Sequence, residues 1–378
     1  MSSSGESPGS SKRTIGFVLS GGGSRAAYQV GALRALCNYI EASGDPVGVV
    51  VGSSIGAVNG LILASCMKRG LRTAVEELTQ LWSIRTFRNS FAGSPSMAFL
   101  RSIKMAMLKY SRKPGPEATQ DAIFDPTPLM QCIDSVLERE GGLLPSARSS
   151  DLHSVAVMTT MEGKNRKPLL FLSSTQKLEG EMMKGASFDV HHAEGLTAKH
   201  AFASAALPTV LPPVTLDVDG AKVSLVDGGI SQNIPVDPAV RLGAERVIII
   251  DISGRHWWLD HYGEKHDKRP DWEVPAGSDT FCLRPPETLS VRCNRALGPI
   301  LKASVGGSTA SFIAALGPTW PVFSLVRKKL GEDLAYEALS YIALHPAYSQ
   351  ALMEVGYNDT VKLLHDKGQK LFSRETHE

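Results

Sequence analysis

The sequence predicts an α/β fold with helices layered on a mainly parallel sheet, and three observations carry that expectation. Ile15 to Leu19, Val47 to Val51 and Val247 to Asp251 are short apolar runs rich in β-formers, as buried parallel strands require. Segments of helical spacing follow the first two runs. Glycine clusters stand where strand gives way to helix, and alternation of strand and helix is the mark of this fold class.

Met1 to Lys12 is polar and Ser/Gly-rich and reads as a flexible lead, assigned to residues 1–13. The run Thr14 to Leu19 is too short for a signal peptide and leads into three glycines and an arginine. From Arg25 to about Ala42, the spacing of Tyr28, Val30, Ala32, Leu33, Leu36, Cys37 and Ile40 predicts a helix, with Gly44 as its stop. Val47 to Val51 is valine throughout except for Gly48, and Ser54 to Lys68 is again helical. Pro46 to Met67 carries no charge and is long enough to span a bilayer. Gly52, Ser53, Ser54, Gly56, Asn59 and Gly60 in its middle fit a strand, a sharp turn and a buried helix better.

From Leu78 to Pro116 there is no acidic residue, while Arg85, Arg88, Arg101, Lys104, Lys109, Arg112 and Lys113 are basic. Met97 to Tyr110 reads equally as a solvated helix over the core or as a face for an anionic membrane. Residues 85–120 are therefore a candidate lid or membrane-contact insertion. Strands are expected at Ser154 to Thr159, Pro168 to Leu172 and Val223 to Val226. A small-residue helix broken by Pro208, Pro212 and Pro213 is expected over Ala201 to Val214, and another over Val236 to Leu242. Ser253 to Pro286 is polar and irregular, with Trp257, Trp258, Tyr262 and Trp272 among charges, and Ile300 to Phe372 is mostly helical. The expected division is a core domain over 14–251, then a linker and helical C-terminal region over 252–378.

Composition narrows the function. Over 378 residues, 43% are hydrophobic and 21% charged, enough apolar material for a packed core. A net charge of +2 gives no reason to expect a nucleic-acid partner. Cys37, Cys66, Cys132, Cys282 and Cys293 form no CxxC pair, so free thiols in a reducing compartment are expected. That suggests a cytoplasmic protein, or one peripheral to a membrane. His191 and His192 are the sole histidine cluster and read as surface or loop, since zinc needs further ligands at set spacing.

Three motifs carry chemistry. Gly52-Ser53-Ser54-Ile55-Gly56 is a G-x-S-x-G turn between a strand and a helix. There a cramped turn presents the Ser54 hydroxyl at the strand's end, near the positive helix terminus. Gly21-Gly22-Gly23-Ser24-Arg25 is a second strand-to-helix loop. Its backbone amides suit a developing oxyanion, with a dinucleotide-binding loop as the competing reading. Asp227-Gly228-Gly229 follows a strand. An aspartate there can take the serine's proton if held in contact with it, although Asp-Gly is also a common turn.

At these residues the chain resembles the patatin-like phospholipases. The match lies in the glycine loop Gly21 to Arg25, the Gly52 to Gly56 turn and Asp227-Gly228-Gly229, in that order. Ala203-Ser204-Ala205-Ala206-Leu207-Pro208 and Asn233-Ile234-Pro235-Val236 add to it, and residues 14–251 are covered. The resemblance implies a three-layer α/β/α fold and a Ser54–Asp227 dyad. It also implies an oxyanion hole of Gly21, Gly22, Gly23 and Ser24, chiefly the amides of Gly22, Gly23 and Ser24. Arg25, Gly52, Gly56, Gly228 and Gly229 support the motifs, with Arg25 bracing the loop or meeting a phosphate. The implied reaction is acyl-ester hydrolysis of a phospholipid or related lipid, through an acyl-enzyme, with no metal or organic cofactor. Ala26 departs from the glycine many members carry. A soluble-acyl esterase or thioesterase, or a silent lipid-binding module, are the alternatives.

Overall fold

A computed structural model describes residues 12–93, 122–163, 166–177, 180, 183–253, 287–320, 323, 327–329 and 331–368. Met97 to Tyr110, with its basic residues, lies outside the described residues, as do Trp257, Trp258, Tyr262, Trp272 and Cys282. The chain opens with β1 (Ile15–Leu19), every residue of it buried. A 3-10 turn (Gly23–Ala26) leads into α1 (Ala27–Ser43), which Gly44 ends in the left-handed region at φ 67°. β2 (Val47–Ser53) is also fully buried and feeds α2 (Ile55–Cys66). The uncharged stretch is therefore strand, turn and helix. Among the described residues no helix is long and apolar enough to cross a membrane.

α3 (Leu71–Ser83), α4 (Phe87–Ser90) and α5 (Thr127–Arg139) follow. β3 (Ser154–Met161) and β4 (Pro168–Ser174) form a hairpin, and β5 (Asp189–His192) lies beside β4. Then come α6 (Ala198–Ala205), β6 (Val214–Val218), β7 (Ala221–Val226), α7 (Val236–Arg241) and β8 (Arg246–Asp251). β9 (Glu287–Arg292), α8 (Gly298–Val305), α9 (Thr309–Leu316), α10 (Glu332–Leu339) and α11 (Pro346–Leu363) complete the order.

The strands form one sheet in the order β5-β4-β3-β2-β1-β8-β9, with β7 beside the end of β3 and β6 beside β7. From β3 to β9 all neighbours on that path are parallel, while β4 and β7 run antiparallel to β3. Successive side chains face opposite ways along a strand. Phe17, Leu19 and Val50 pack with α1 and α2 on one face. Val18, Val49 and Val51 pack with Val236 and Ala239 of α7 on the other. The result is a mostly parallel sheet with helices on both sides. α11 lies along α1, and Gly31 and Gly356 let the backbones touch: a Cβ on either would overlap the other helix's main chain.

One expectation needs correction. The helix expected over Ala201 to Val214 starts at Ala198 and stops at Ala205, because the prolines beyond cannot continue it. Val214 instead begins β6. His191 and His192, read as surface or loop, lie at the surface on edge strand β5, with His192 exposed. His191 bonds Asp219 at 3.1 Å, and no metal-holding cluster exists among the described residues.

Candidate active site

The topology itself brings the motifs together. β1 and β2 are parallel neighbours, so Gly21 and Ser54 leave the sheet at the same end, past the carboxyl ends of the strands. Ser53 pairs with Met158 of β3, and Thr160 of β3 pairs with Val226 of β7. The residues that follow, Ser54 and Asp227, therefore emerge side by side.

Ser54 adopts φ 53° and ψ −131°, a conformation that costs an L-residue on the order of 1–3 kcal/mol. Its surroundings hold it there. The Ser54 N–H donates to Ser204 Oγ at 2.7 Å, and Ser204 Oγ donates to the Met158 carbonyl at 2.5 Å. A Cβ on Gly56 would overlap the Leu19 carbonyl, and one on Gly52 would overlap Gly56 and Ala57. Glycine is thus required at both flanks of the turn. Ser204→Ala removes the acceptor from a buried N–H, so we expect a loss of about 1–3 kcal/mol together with a lower kcat. Thermal melting and ester turnover check it; unchanged turnover would show that Ser204 does not hold the nucleophile's turn.

Asp227 is 5% exposed. Its Oδ2 accepts from Ser54 Oγ at 2.7 Å and its Oδ1 from the Gly229 N–H at 2.7 Å. Burial pushes the carboxyl up to about 6, against the opposing pull of those two hydrogen bonds. Thr160 Oγ1 donates to the Asp227 carbonyl, and the Asp227 N–H donates to Ala206. A Cβ on Gly228 would strike the Met158 carbonyl, which is why the carboxylate can come so close to the β3 edge.

In the glycine loop the amides are already sorted. The Gly21 N–H donates to Asn233 O at 3.3 Å and the Ser24 N–H to Tyr341 O at 2.8 Å. The amides of Gly22 and Gly23 have no acceptor among the described residues. Gly23, at φ 60°, lies directly against the Tyr341 carbonyl, where no Cβ fits. Arg25 is 1% exposed and turned to the same C-terminal segment. Its Nη2 meets Glu337 Oε1 at 2.6 Å, its Nε meets Ser340 Oγ at 2.8 Å, and its guanidinium stacks 3.5 Å over the Tyr341 ring. The other Glu337 oxygen accepts from the Gly298 N–H at 2.6 Å. Arg25 thus braces the loop, its Nε and Nη2 taken up by Ser340 and Glu337.

A cavity of about 230 Å³ opens beside Ser54 and Asp227. Ile55, Val58 and Ile62 of α2 line one wall, and Trp82, Phe91 and Phe124 contribute to others. The positions i, i+3 and i+7 on α2 place that wall along about two turns of helix. The lining is mostly apolar.

Sequence reasoning missed Glu337, Ser340 and Tyr341 altogether. Ser204 was legible only as part of a family-like segment, without a role.

Fold and site together define a layered α/β chain with a serine and an aspartate in contact beyond the carboxyl end of a central strand, beside a glycine loop. The family model for patatin-like phospholipase matches residues 17–240, more than half of the chain, and the protein belongs to that family. It is 26% identical over 259 residues to patatin-like phospholipase domain-containing protein 6 of Homo sapiens, which covers 65% of this chain and 15% of that protein. To the neuropathy target esterase sws of Drosophila melanogaster it is 25% identical over 259 residues, 65% of this chain and 14% of the other. A 52-residue stretch is 46% identical to lysophospholipase nte1 of Aspergillus terreus, covering 14% of this chain and 3% of the other. The chain thus spans less than a sixth of the length of these relatives. Among solved structures, human GIVD cytosolic phospholipase A2 overlays with a TM-score of 0.42 at 11% identity, over 94% of this chain and 59% of that one. The type III effector ExoU overlays with a TM-score of 0.37 at 16% identity, over 94% and 53%.

Proposed function

We propose that the protein is a lipid acyl hydrolase of the phospholipase A or lysophospholipase kind, working through a Ser54–Asp227 dyad. The observation that carries this is the 2.7 Å hydrogen bond from Ser54 Oγ to Asp227 at the mouth of an apolar cavity. Asp227 takes the hydroxyl proton as Ser54 Oγ attacks the ester carbonyl. The amides of Gly22 and Gly23 receive the oxyanion, the largest electrostatic contribution such a site offers. The ester C–O bond then breaks, and the protonated Asp227 returns its proton to the departing alcohol or lysolipid. Water, deprotonated by the same carboxylate, attacks the acyl-enzyme; fatty acid leaves and Ser54 regains its proton. A phospholipid or other acyl-ester lipid fills the cavity. Peripheral contact with an anionic membrane is proposed on the basic charge of residues 101–113 alone.

The test is fatty-acid release from mixed phospholipid vesicles, wild type against Ser54→Ala, with a fluorophosphonate probe to label Ser54. Labelling of Ser54 and release by wild type alone support the reading. Absence of labelling in folded protein overturns it. The pH dependence follows from Asp227, which must be ionised to act as base. Because burial pushes its carboxyl up to about 6, kcat/KM should fall about tenfold per unit below that pH and level off above it. A flat profile between pH 4 and 8 would exclude Asp227 as the base.

A further inference from the structure

Among the described residues that line the largely apolar cavity, one is a cation. Arg85 lines the cavity just past the end of α3 and is 7% exposed. A guanidinium offers five N–H donors, accepts nothing and stays charged. Here Nε donates to the Leu81 carbonyl at 3.1 Å, closing the end of α3, and Nη2 reaches Cys132 Sγ at 3.4 Å, a weak acceptor. Nη1 is sealed from water and has no partner. No carboxylate pairs with Arg85 among the described residues. The contrast with other buried arginines is direct: Arg25, Arg241 and Arg246 each meet an acid. Arg148, also short of partners, lines no part of this cavity.

Burying a charge without a counter-charge is unfavourable, and an oxyanion is the group that relieves it. Position narrows the choice. α2 and α3 form a helical hairpin, and Trp82 Nε1 donates to Asn59 Oδ1 at 2.9 Å across it. Beyond Trp82 the chain runs back toward the N-terminus of α2. Arg85, three residues past Trp82, lines the same cavity as Ser54 and Asp227.

We propose that Arg85 anchors an oxyanion of the substrate, a phosphate or carboxylate group carried by the lipid that fills this cavity. The inference rests on reading the cavity as the lipid pocket. It adds a charged specificity contact to the hydrocarbon and ester contacts of the described lining.

Binding to the Ser54→Ala protein tests it without any turnover. Tryptophan fluorescence, with Trp82 in the cavity, would report the Kd of decyl phosphate, decan-1-ol and inorganic phosphate. Decyl phosphate should bind roughly ten- to a hundredfold more tightly than decanol, the range of a charge-assisted bond. Arg85→Met should erase that ratio, and Arg85→Lys should keep part of it, since lysine retains the charge but not the fork. Both variants are checked for folding by thermal melting.

The source of the oxyanion is read from turnover by the protein with Ser54 intact. If Arg85→Met collapses the preference for lysophosphatidic acid over monoacylglycerol, the anchor holds a head-group phosphate. If it collapses the preference for a glutarate hemi-ester over the matching pentanoate ester, the anchor holds an acyl-side carboxylate. A decyl phosphate to decanol ratio near one, or one that folded Arg85→Met leaves intact, overturns the proposal. So does inorganic phosphate binding as tightly as decyl phosphate. Fluorophosphonate labelling separates these outcomes from failure of the hydrolase reading, because it reports on Ser54 alone.

Discussion

Ser54→Ala and Asp227→Asn should each lower ester turnover by about 10⁴ to 10⁶, and the double variant should be little worse than the poorer single one. The two side chains share a single proton at 2.7 Å, so removing either leaves the other without its task. Stability should move the other way for Asp227→Asn. Burial pushes the folded carboxyl up to about 6 from an ordinary value of 3.8. The folded state therefore holds that proton more tightly than the unfolded chain does. Its contribution to stability is complete below pH 4 and is lost as pH rises toward 6, a difference of about 3 kcal/mol. Asparagine escapes that ionisation cost, so Asp227→Asn should melt higher than wild type at pH 8, with the gap closing near pH 4. Melting curves at the two pH values, beside kcat, check both halves. Turnover by Ser54→Ala within tenfold of wild type would end the serine mechanism.

Glu337→Ala should damage both stability and catalysis, though the residue is far from the reacting atoms in sequence and outside the cavity lining. It would leave Arg25, 1% exposed, without its carboxylate, and the Gly298 N–H without its acceptor. Breaking a buried pair from one side costs about 3–5 kcal/mol, or on the order of 10 °C in melting temperature for a domain of this kind. The loop that carries Gly22 and Gly23 hangs from the same segment through Ser24 and Tyr341. Loss of its anchorage should lower kcat by about 10² to 10³, the cost of losing one oxyanion donor, with little change in KM. The rate of Ser54 labelling, measured where the variant is still folded, reads this directly. A lower melting temperature with an unchanged labelling rate would limit Glu337 to a structural role. Glu337→Gln should fall between, because it keeps a polar group for Arg25 but not the charge.

The interior strands were legible because each is buried on both faces and so reads as an unbroken apolar run; β1 ends where expected, at Ile15 and Leu19. The turn at Ser54 was legible for the same kind of reason, since only glycine tolerates the contacts at Gly52 and Gly56. Strands at the sheet's margins carried no such signal. β5 has four residues, none of them buried, and β6 has none buried either. Neither presents the apolar run by which a strand is recognised. The contacts that orient the site were hidden by distance along the chain. Ser204 reaches Ser54 across 150 positions, and Glu337 reaches Arg25 across 312. No local pattern of residue types encodes such a meeting.

That last separation gives the protein a timetable. A ribosome adding about 5–20 residues per second needs on the order of 15–60 s to travel from Arg25 to Glu337. Through that interval Ser54 has been made, yet the segment that fixes the glycine loop has not. The glycine loop beside Ser54 is braced as described only when α10 has emerged and docked.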